Sequence, residues 1–446
     1  MSGITFNEEQ IEIYRTRTRR SEELWRRTKR FIPTGHAGGM GAFHPHPIVV
    51  ESGKGCWLWD VDGNRYLDLR LGDWVLIHGH SDEDIRQAVY EQMGKAVQVG
   101  APEWDLGYRM SELLVERVPS IEKVRFFVSG TDANICALRL ARAYTGRTRV
   151  ARSVGGYHGT SDELIAGVSV LRDRADIVPR GALEQSKDEI VQIPYNDADG
   201  AESIIRAHAQ ELAAVLIEPV MTAAGMLESS REYLQRLREV TEELGILLVF
   251  DEVVTFPVAY GGAQAYYGVT PDLTTLGKTI GGGLPVSAVG GRQEIMDLLE
   301  PDAHGGVAPV WVMSTFGGNS ASLAAGIACL EKLTPEAHRA MTRKGNRIRA
   351  HIDGLGRKYG IPLHATGIGN LIGIHWSEDR VVDEPTLRLD DREKIQNINL
   401  TLDNEGYYQT FTGLFLLSTV IGDQEIDGFL FALERSLHTL GYVTDH

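Results

Sequence analysis

The sequence predicts an α/β fold: a large domain of mostly parallel sheet flanked by helices, then a smaller α+β lobe. Three observations predict it. Apolar runs at 124–128, 213–217 and 246–250 are separated by helical stretches, which implies parallel strands covered on both faces. Polar residues close those runs at Ser129, Glu218 and Asp251, and in such sheets ligands sit at the carboxyl ends of strands. At 446 residues with 43% hydrophobic content, the chain is too long for one compact domain of usual size and can fill two cores.

From the amino end, residues to about 50 read as a polar helical stretch and then a loop rich in Gly, Pro and His. Residues 57–69 read as two strands around a turn at Asp62-Gly63-Asn64. Alternation of strands and helices begins near residue 84. The strand at 124–128 leads into a helix at 132–144, and an amphipathic helix at 231–244 stops at Gly245 before the strand at 246–250. From about 320 the pattern is helical to 359, then strand-like at 371–375 and 414–417, with a last helix at 424–440. No internal repeat or low-complexity tract stands out.

A net charge of −16 argues against nucleic acid as a partner, because phosphate binding needs a basic face. Arg15, Arg17, Arg19, Arg20, Arg26, Arg27, Lys29 and Arg30 do crowd one segment, but with Glu22 and Glu23 among them they read as a solvated helix. Cys56, Cys136 and Cys329 are far apart and form no CxxC pair. They suggest neither zinc site nor disulfide framework and fit a reducing cytoplasm. No apolar stretch approaches the roughly 20 residues needed to cross a bilayer, and the N-terminus does not read as a secretory signal. The expectation is a cytoplasmic protein with no metal, nucleic-acid or membrane partner.

Several motifs fail on inspection. Gly277-Lys278-Thr279 resembles the end of a P-loop, but the first glycine position is Asp272. Gly367-Ile-Gly369 lacks the third glycine of the dinucleotide fingerprint, where Ile372 stands. His44, His46, His78 and His80 form two HxH pairs without a clear carboxylate or cysteine set, and read as loop and turn histidines.

Four other motifs carry chemistry together. Lys278 ends the strand-like Pro271-Asp-Leu-Thr-Thr-Leu-Gly-Lys278, and glycines follow it. A lysine held at a crevice can form a Schiff base with an aldehyde, release it to a substrate amine and move a proton. Asp251 closes the strand before it. A carboxylate facing the nitrogen of a pyridine ring keeps that ring protonated and able to accept electrons. Ser129-Gly130-Thr131-Asp132 stands between a strand and a helix, the place for an anion such as a phosphate. Tyr157, among Gly155, Gly156 and Gly159, can lie flat on one face of a ring, with Val253 on the other. Each has a plain alternative: a lysine before a turn, a capping aspartate, a capping turn, a turn tyrosine. Their combination points to pyridoxal 5′-phosphate (PLP).

Ser-Gly-Thr-Asp-Ala (129–133), Tyr-His-Gly (157–159), Glu-Pro-Val (218–220), Phe-Asp-Glu-Val (250–253), Pro-Asp-Leu-Thr-Thr-Leu-Gly-Lys (271–278) and Ser-Thr-Phe-Gly-Gly-Asn (314–319) run in the order of a known family. The chain resembles the class III, fold type I aminotransferases over nearly its whole length. The subgroup it is most similar to holds glutamate-1-semialdehyde aminomutase and the β-amino-acid transaminases, which Gly261-Gly-Ala-Gln264 and Gly290-Gly-Arg292 also match. The resemblance implies an N-terminal segment 1–75 belonging to the small domain, a PLP-binding large domain 76–320 and a C-terminal small domain 321–446. It implies that Lys278 carries PLP and that Asp251 pairs with the ring nitrogen. Ser129, Gly130 and Thr131 would hold the phosphate, Tyr157 and Val253 would flank the ring, and His158 and Glu218 would support them. Thr315 would reach the phosphate of a partner subunit, making a homodimer with shared sites.

The sequence departs from the family in places. Asp132 replaces a glutamate, Pro257 stands where arginine is common, and Ser314 and Ser320 replace Gly and Pro. The arginines that hold the substrate carboxylate in the β-amino-acid enzymes are absent from Pro33-Thr-Gly-His-Ala-Gly-Gly-Met40 and Gln409-Thr-Phe-Thr-Gly413. An amino-acid substrate needs some cation, and Arg70, assisted by His36, is the candidate; otherwise Arg70 is a surface strand arginine. Phe43 and Phe411 would suit a bulky or aromatic amine. The expected reaction is transamination from an amine or amino-acid donor to a keto-acid acceptor. The alternatives are an intramolecular 2,1-aminomutase and a PLP-binding protein without catalysis.

Overall fold

The computed structural model describes residues 4–38, 43–99, 105–165, 180–410 and 412–444. Contacts divide the chain into two units. One comprises Met1–Asp82, Ala340–Arg380 and Leu389–His446, and the other Glu83–Arg339 and Val381–Arg388.

The second unit is built on a seven-stranded sheet in the order Lys123–Phe127, Ser287–Gly291, Leu273–Leu276, Leu247–Asp251, Leu212–Ile217, Arg149–Ser153 and Ile190–Ile193. Only Ser287–Gly291 runs against the rest; it is antiparallel to both its neighbours. Leu212–Ile217 and Leu247–Asp251 are buried at every position, as central strands with both faces covered require. Two apolar clusters lie on the sheet. Leu138, Leu216, Val249, Leu273 and Val289 belong to one, and Met110, Leu276, Ile280, Ala288 and Leu323 to the other. The alternation of Leu273 and Leu276, and of Ala288 and Val289, between them is the period of a strand with two buried faces.

Local chemistry sets the helix ends. The helix Gly130–Thr145 starts at Ser129, whose hydroxyl accepts from the Asp132 amide at 3.3 Å, and stops at Gly146 with φ +70°. The helical pattern read over 320–359 is two helices, Ser320–Lys332 and Pro335–Tyr359. Pro335 has no amide to continue the first helix and suits the first turn of the second. The strand Ser287–Gly291 was not read from sequence, because two of its five residues are glycines. A Cβ on Gly291 would stand 2.4 Å from the Asp272 carbonyl oxygen, so close strand packing, not apolar bulk, determines that sequence.

The first unit holds a four-stranded sheet, Val50–Lys54, Trp57–Asp60, Arg65–Asp68 and Tyr407–Tyr408, and an antiparallel three-stranded sheet, Leu363–Thr366, Leu371–Trp376 and Leu414–Leu416. Leu67, Ile352, Ile374, Ile398, Phe415 and Phe429 pack in its main core. The HxH histidines are structural here. His46 contacts the Thr18 hydroxyl at 2.9 Å, His78 the Thr419 hydroxyl at 2.9 Å and His80 the Asp68 carboxylate at 2.7 Å. No helix among the described residues is long and apolar enough to cross a membrane.

Candidate active site

The carboxyl ends of the second unit's strands bring most of the expected residues to one edge of the sheet. Leu273–Leu276 runs out into Gly277 and Lys278. Lys278 has φ +48°, in the left-handed region that a non-glycine residue occupies only when its surroundings force it. Such residues cluster at functional sites. Val253 fits between two glycines: a Cβ on Gly130 would stand 3.0 Å from its Cγ2, and one on Gly277 3.2 Å from its Cγ1. A larger residue at either glycine would push the lysine turn or the helix start away from the Asp251 strand.

Asp251, the last residue of its strand, is buried at 4% exposure. Its Oδ2 accepts from Asn134 Nδ2 and from His158 Nδ1, each at 2.8 Å, and its Oδ1 accepts from the Val253 amide at 3.1 Å. Burial pushes the carboxyl up. The hydrogen bond and attraction of His158, with the Asn134 and Val253 donors, outweigh it and hold Asp251 below the usual aspartate value. The result is a buried carboxylate that stays ionised. A carboxylate oxygen accepts more than one donor, so Oδ1 can take a second N–H. His158 Nε2 is buried without a hydrogen-bond partner among the described residues, although the ring is held by its other nitrogen.

Tyr157 is fixed through its backbone. Its amide donates to Glu218 Oε1 at 2.9 Å, while Glu218 Oε2 accepts from the Thr222 amide at 3.0 Å and from the Thr222 hydroxyl. Burial pushes the Glu218 carboxyl above its ordinary value. Ser129 donates to the Asp132 carboxylate at 2.8 Å, and its carbonyl accepts from the Ser287 hydroxyl at 2.6 Å. A Cβ on Gly159, at φ +116°, would stand 2.4 Å from the Thr131 hydroxyl, so the glycine lets the helix start and the Tyr157 loop approach. The first-turn amides of the helix Gly130–Thr145 carry the positive end of its dipole.

The other expected residues make contacts of their own. Thr315 is exposed, and its carbonyl accepts from Gln98 at 2.6 Å. Arg70 belongs to the first unit. It is no surface arginine: its side chain is 12% exposed, because its guanidinium donates to Asp73 at 2.7 Å and to the Tyr408 hydroxyl at 3.4 Å and lies 5.1 Å from the Phe43 ring centre. His36, also in that unit, contacts the Gly38 carbonyl and meets the Phe43 ring edge-on. Phe411 and part of the loop at 34–40 fall outside the described residues. Sequence reasoning missed Asn134, Thr275, Thr222 and Ser287. An asparagine inside a helix, a poor place for it, was the one available signal.

An ionised carboxylate with room for an N–H donor, a lysine at the same sheet edge and a helix start among glycines form the donor set that a phosphorylated pyridine ring calls for. The sequence profile described as aminotransferase class-III matches residues 40–436. The chain belongs to this family. A class III aminotransferase is a fold type I enzyme that works with PLP. Among the relatives of this chain is the glutamate-1-semialdehyde 2,1-aminomutase of Persephonella marina, 38% identical over 92% of this chain and 96% of its own. The crystal structure of an omega-transaminase from Sphaerobacter thermophilus is 36% identical, covers 94% of this chain and 97% of its own, and superposes with a TM-score of 0.89. A transaminase solved with PLP bound is 30% identical, with a TM-score of 0.87 over 95% of this chain and 98% of its own.

Proposed function

We propose that this enzyme is a transaminase that moves the amino group of an amine or amino acid to a keto acid, with Lys278 as the residue that carries PLP. One observation carries the reading: a strained lysine turn shares a sheet edge with a buried, ionised Asp251 whose Oδ1 can accept another N–H. When bound, PLP supplies an electrophilic carbon for the donor amine and a protonated ring that takes up the electron pair left when the substrate C–H bond breaks.

The remaining chemistry belongs to the chain. Lys278 Nζ would anchor the cofactor and, when free of it, would be the base that takes the proton from the substrate carbon. Asp251 Oδ1 would accept from the ring N–H, while His158 and Asn134 keep its other oxygen fixed. Gly130 and Thr131, behind the Ser129 cap, hold the phosphate at the helix start. Tyr157, set by Glu218, would cover one face of the ring and Val253 the other. Thr315 serves the phosphate of a second copy, in a homodimer with shared sites. Phe411 would suit a bulky or aromatic donor amine, whereas Arg70, assisted by His36, would be the anchor only if the donor carried a carboxylate. The engagement of Arg70 with Asp73, Tyr408 and Phe43 supports a donor without a carboxylate.

A second reading, an intramolecular aminomutase, is favoured by the curated relatives. The loops at 34–40 and 409–413, without arginine, support the transferase instead. The test is a donor screen on PLP-loaded enzyme that follows the visible absorbance of the cofactor. A transferase loses that absorbance with a good donor and recovers it only when a keto acid is added. Sustained turnover of a single substrate without any keto acid would establish the aminomutase.

A further inference from the structure

We propose that Thr275 is a positioning residue for this reaction, acting on Asp251 through the side-chain amide of Asn134. The inference rests on Asp251 being the carboxylate that serves the PLP ring nitrogen.

The geometry carries it. Asn134 Nδ2 lies 2.8 Å from Asp251 Oδ2 and 2.8 Å from the His158 carbonyl oxygen. Both are acceptors only, so the NH2 end of the amide must face them. Asn134 Oδ1 then faces away, and Thr275 Oγ1 donates to it at 2.8 Å. Both residues are buried, Asn134 at 1% and Thr275 at 0% exposure. Without the Thr275 hydroxyl, Oδ1 would be a buried acceptor with that donor lost, and turning the amide to relieve it would press oxygen against the Asp251 carboxylate. Thr275 therefore braces the amide in that orientation from its other end, and the amide is one of two donors that hold Asp251 Oδ2. Thr275 also lies on the strand that runs into Lys278. The element that delivers the lysine thus also sets the carboxylate. Thr274, next on that strand, bonds instead to Gln264 and Ser120 on the other face.

Thr275→Val removes the hydroxyl at nearly constant shape. Two readouts separate positioning from folding: the apparent PLP dissociation constant, and the pH midpoint at which the absorbance of bound PLP changes. Asp251→Asn defines the direction of the midpoint shift. Thr275→Val should move the midpoint the same way by about half a pH unit, weaken PLP binding about threefold to tenfold and lower kcat about tenfold, the scale of one hydrogen bond to a charged group. Thr275→Ser should restore all three. Thr274→Val, which also loses a buried hydroxyl, should lower Tm and leave the midpoint in place. A wild-type midpoint in Thr275→Val, no rescue by serine, or an equal shift in Thr274→Val overturns the proposal while Asp251→Asn still shifts it. If Asp251→Asn itself changes neither midpoint nor PLP affinity, the assignment of Asp251 falls, and this inference falls with it.

Discussion

Asp251 and Glu252 are consecutive, both buried carboxylates, and their surroundings shift them in opposite directions from their ordinary values. Asp251 bonds to Asn134 and His158, and the network reaches Thr275. Glu252 bonds to the Ala263 and Gln264 amides and to the Gln264 side chain, and that network reaches Thr274. Because Thr274 and Thr275 alternate on one strand, the networks occupy opposite faces of the sheet. Burial pushes Glu252 up, and its neutral donors do not reverse this; burial also pushes Asp251 up, but His158 and its companions bring it below the ordinary value. Glu252 spends both oxygens on the start of the helix Gly262–Tyr267, whereas Asp251 keeps capacity at Oδ1. Burial of a carboxylate is therefore not what marks this site. The mark is a donor set that holds the carboxylate below its ordinary value and leaves one oxygen with capacity for a further donor.

If the comparison holds, changes on the Asp251 face should cost turnover and changes on the Glu252 face should cost folding. The largest effect belongs to Lys278→Ala, which should abolish turnover while the protein still binds PLP through the phosphate and Asp251 contacts. Wild-type turnover in that variant would remove the lysine from the mechanism. Asp251→Ala comes next and should lower kcat by several orders of magnitude, since an unprotonated ring is a poor electron sink. A loss smaller than about tenfold, or about 1.4 kcal/mol, would mean that another group serves the ring nitrogen.

A smaller effect, on stability, separates the two carboxylates by the sign of their pH dependence. Asp251 sits below its ordinary value, so its contribution is present above the unfolded value of about 3.9 and is lost as pH falls through the folded one. Glu252 sits above its ordinary value, so its contribution is present below about 4.3 and is lost as pH rises through the folded one. In the PLP-free protein, the Tm gap between wild type and Asp251→Asn should close on acidification. The gap for Glu252→Gln should close as pH rises. Each should correspond to about 1–3 kcal/mol where widest, and gaps that close in the same pH direction would end the contrast. The smallest effect concerns Arg70→Ala, which should change the first half-reaction with a simple amine less than about threefold. A loss of about 2–5 kcal/mol with amino-acid donors would make Arg70 the carboxylate anchor.

Local chemistry made much of this readable in advance. Ser129 and Gly146 announce the two ends of their helix, and the apolar runs closed by Glu218 and Asp251 place strand ends at one crevice. Tertiary partnerships were not readable. Thr275 reads as an ordinary β-branched strand residue until Asn134 is seen beside it, from far along the chain. Ser287–Gly291 hides because its glycines serve close packing. Arg70 read as either a surface residue or an anchor, since Tyr408, its partner, lies 338 residues away.

Amino transfer itself is tested most directly by the fate of nitrogen. PLP-loaded enzyme should be given a 15N-labelled donor amine and an unlabelled keto acid, and the products read by mass spectrometry. The account predicts the label in the amino acid formed from the keto acid, with one carbonyl product released per amino acid made. Label that stays on the donor's own carbon skeleton, with the keto acid unchanged, would contradict it.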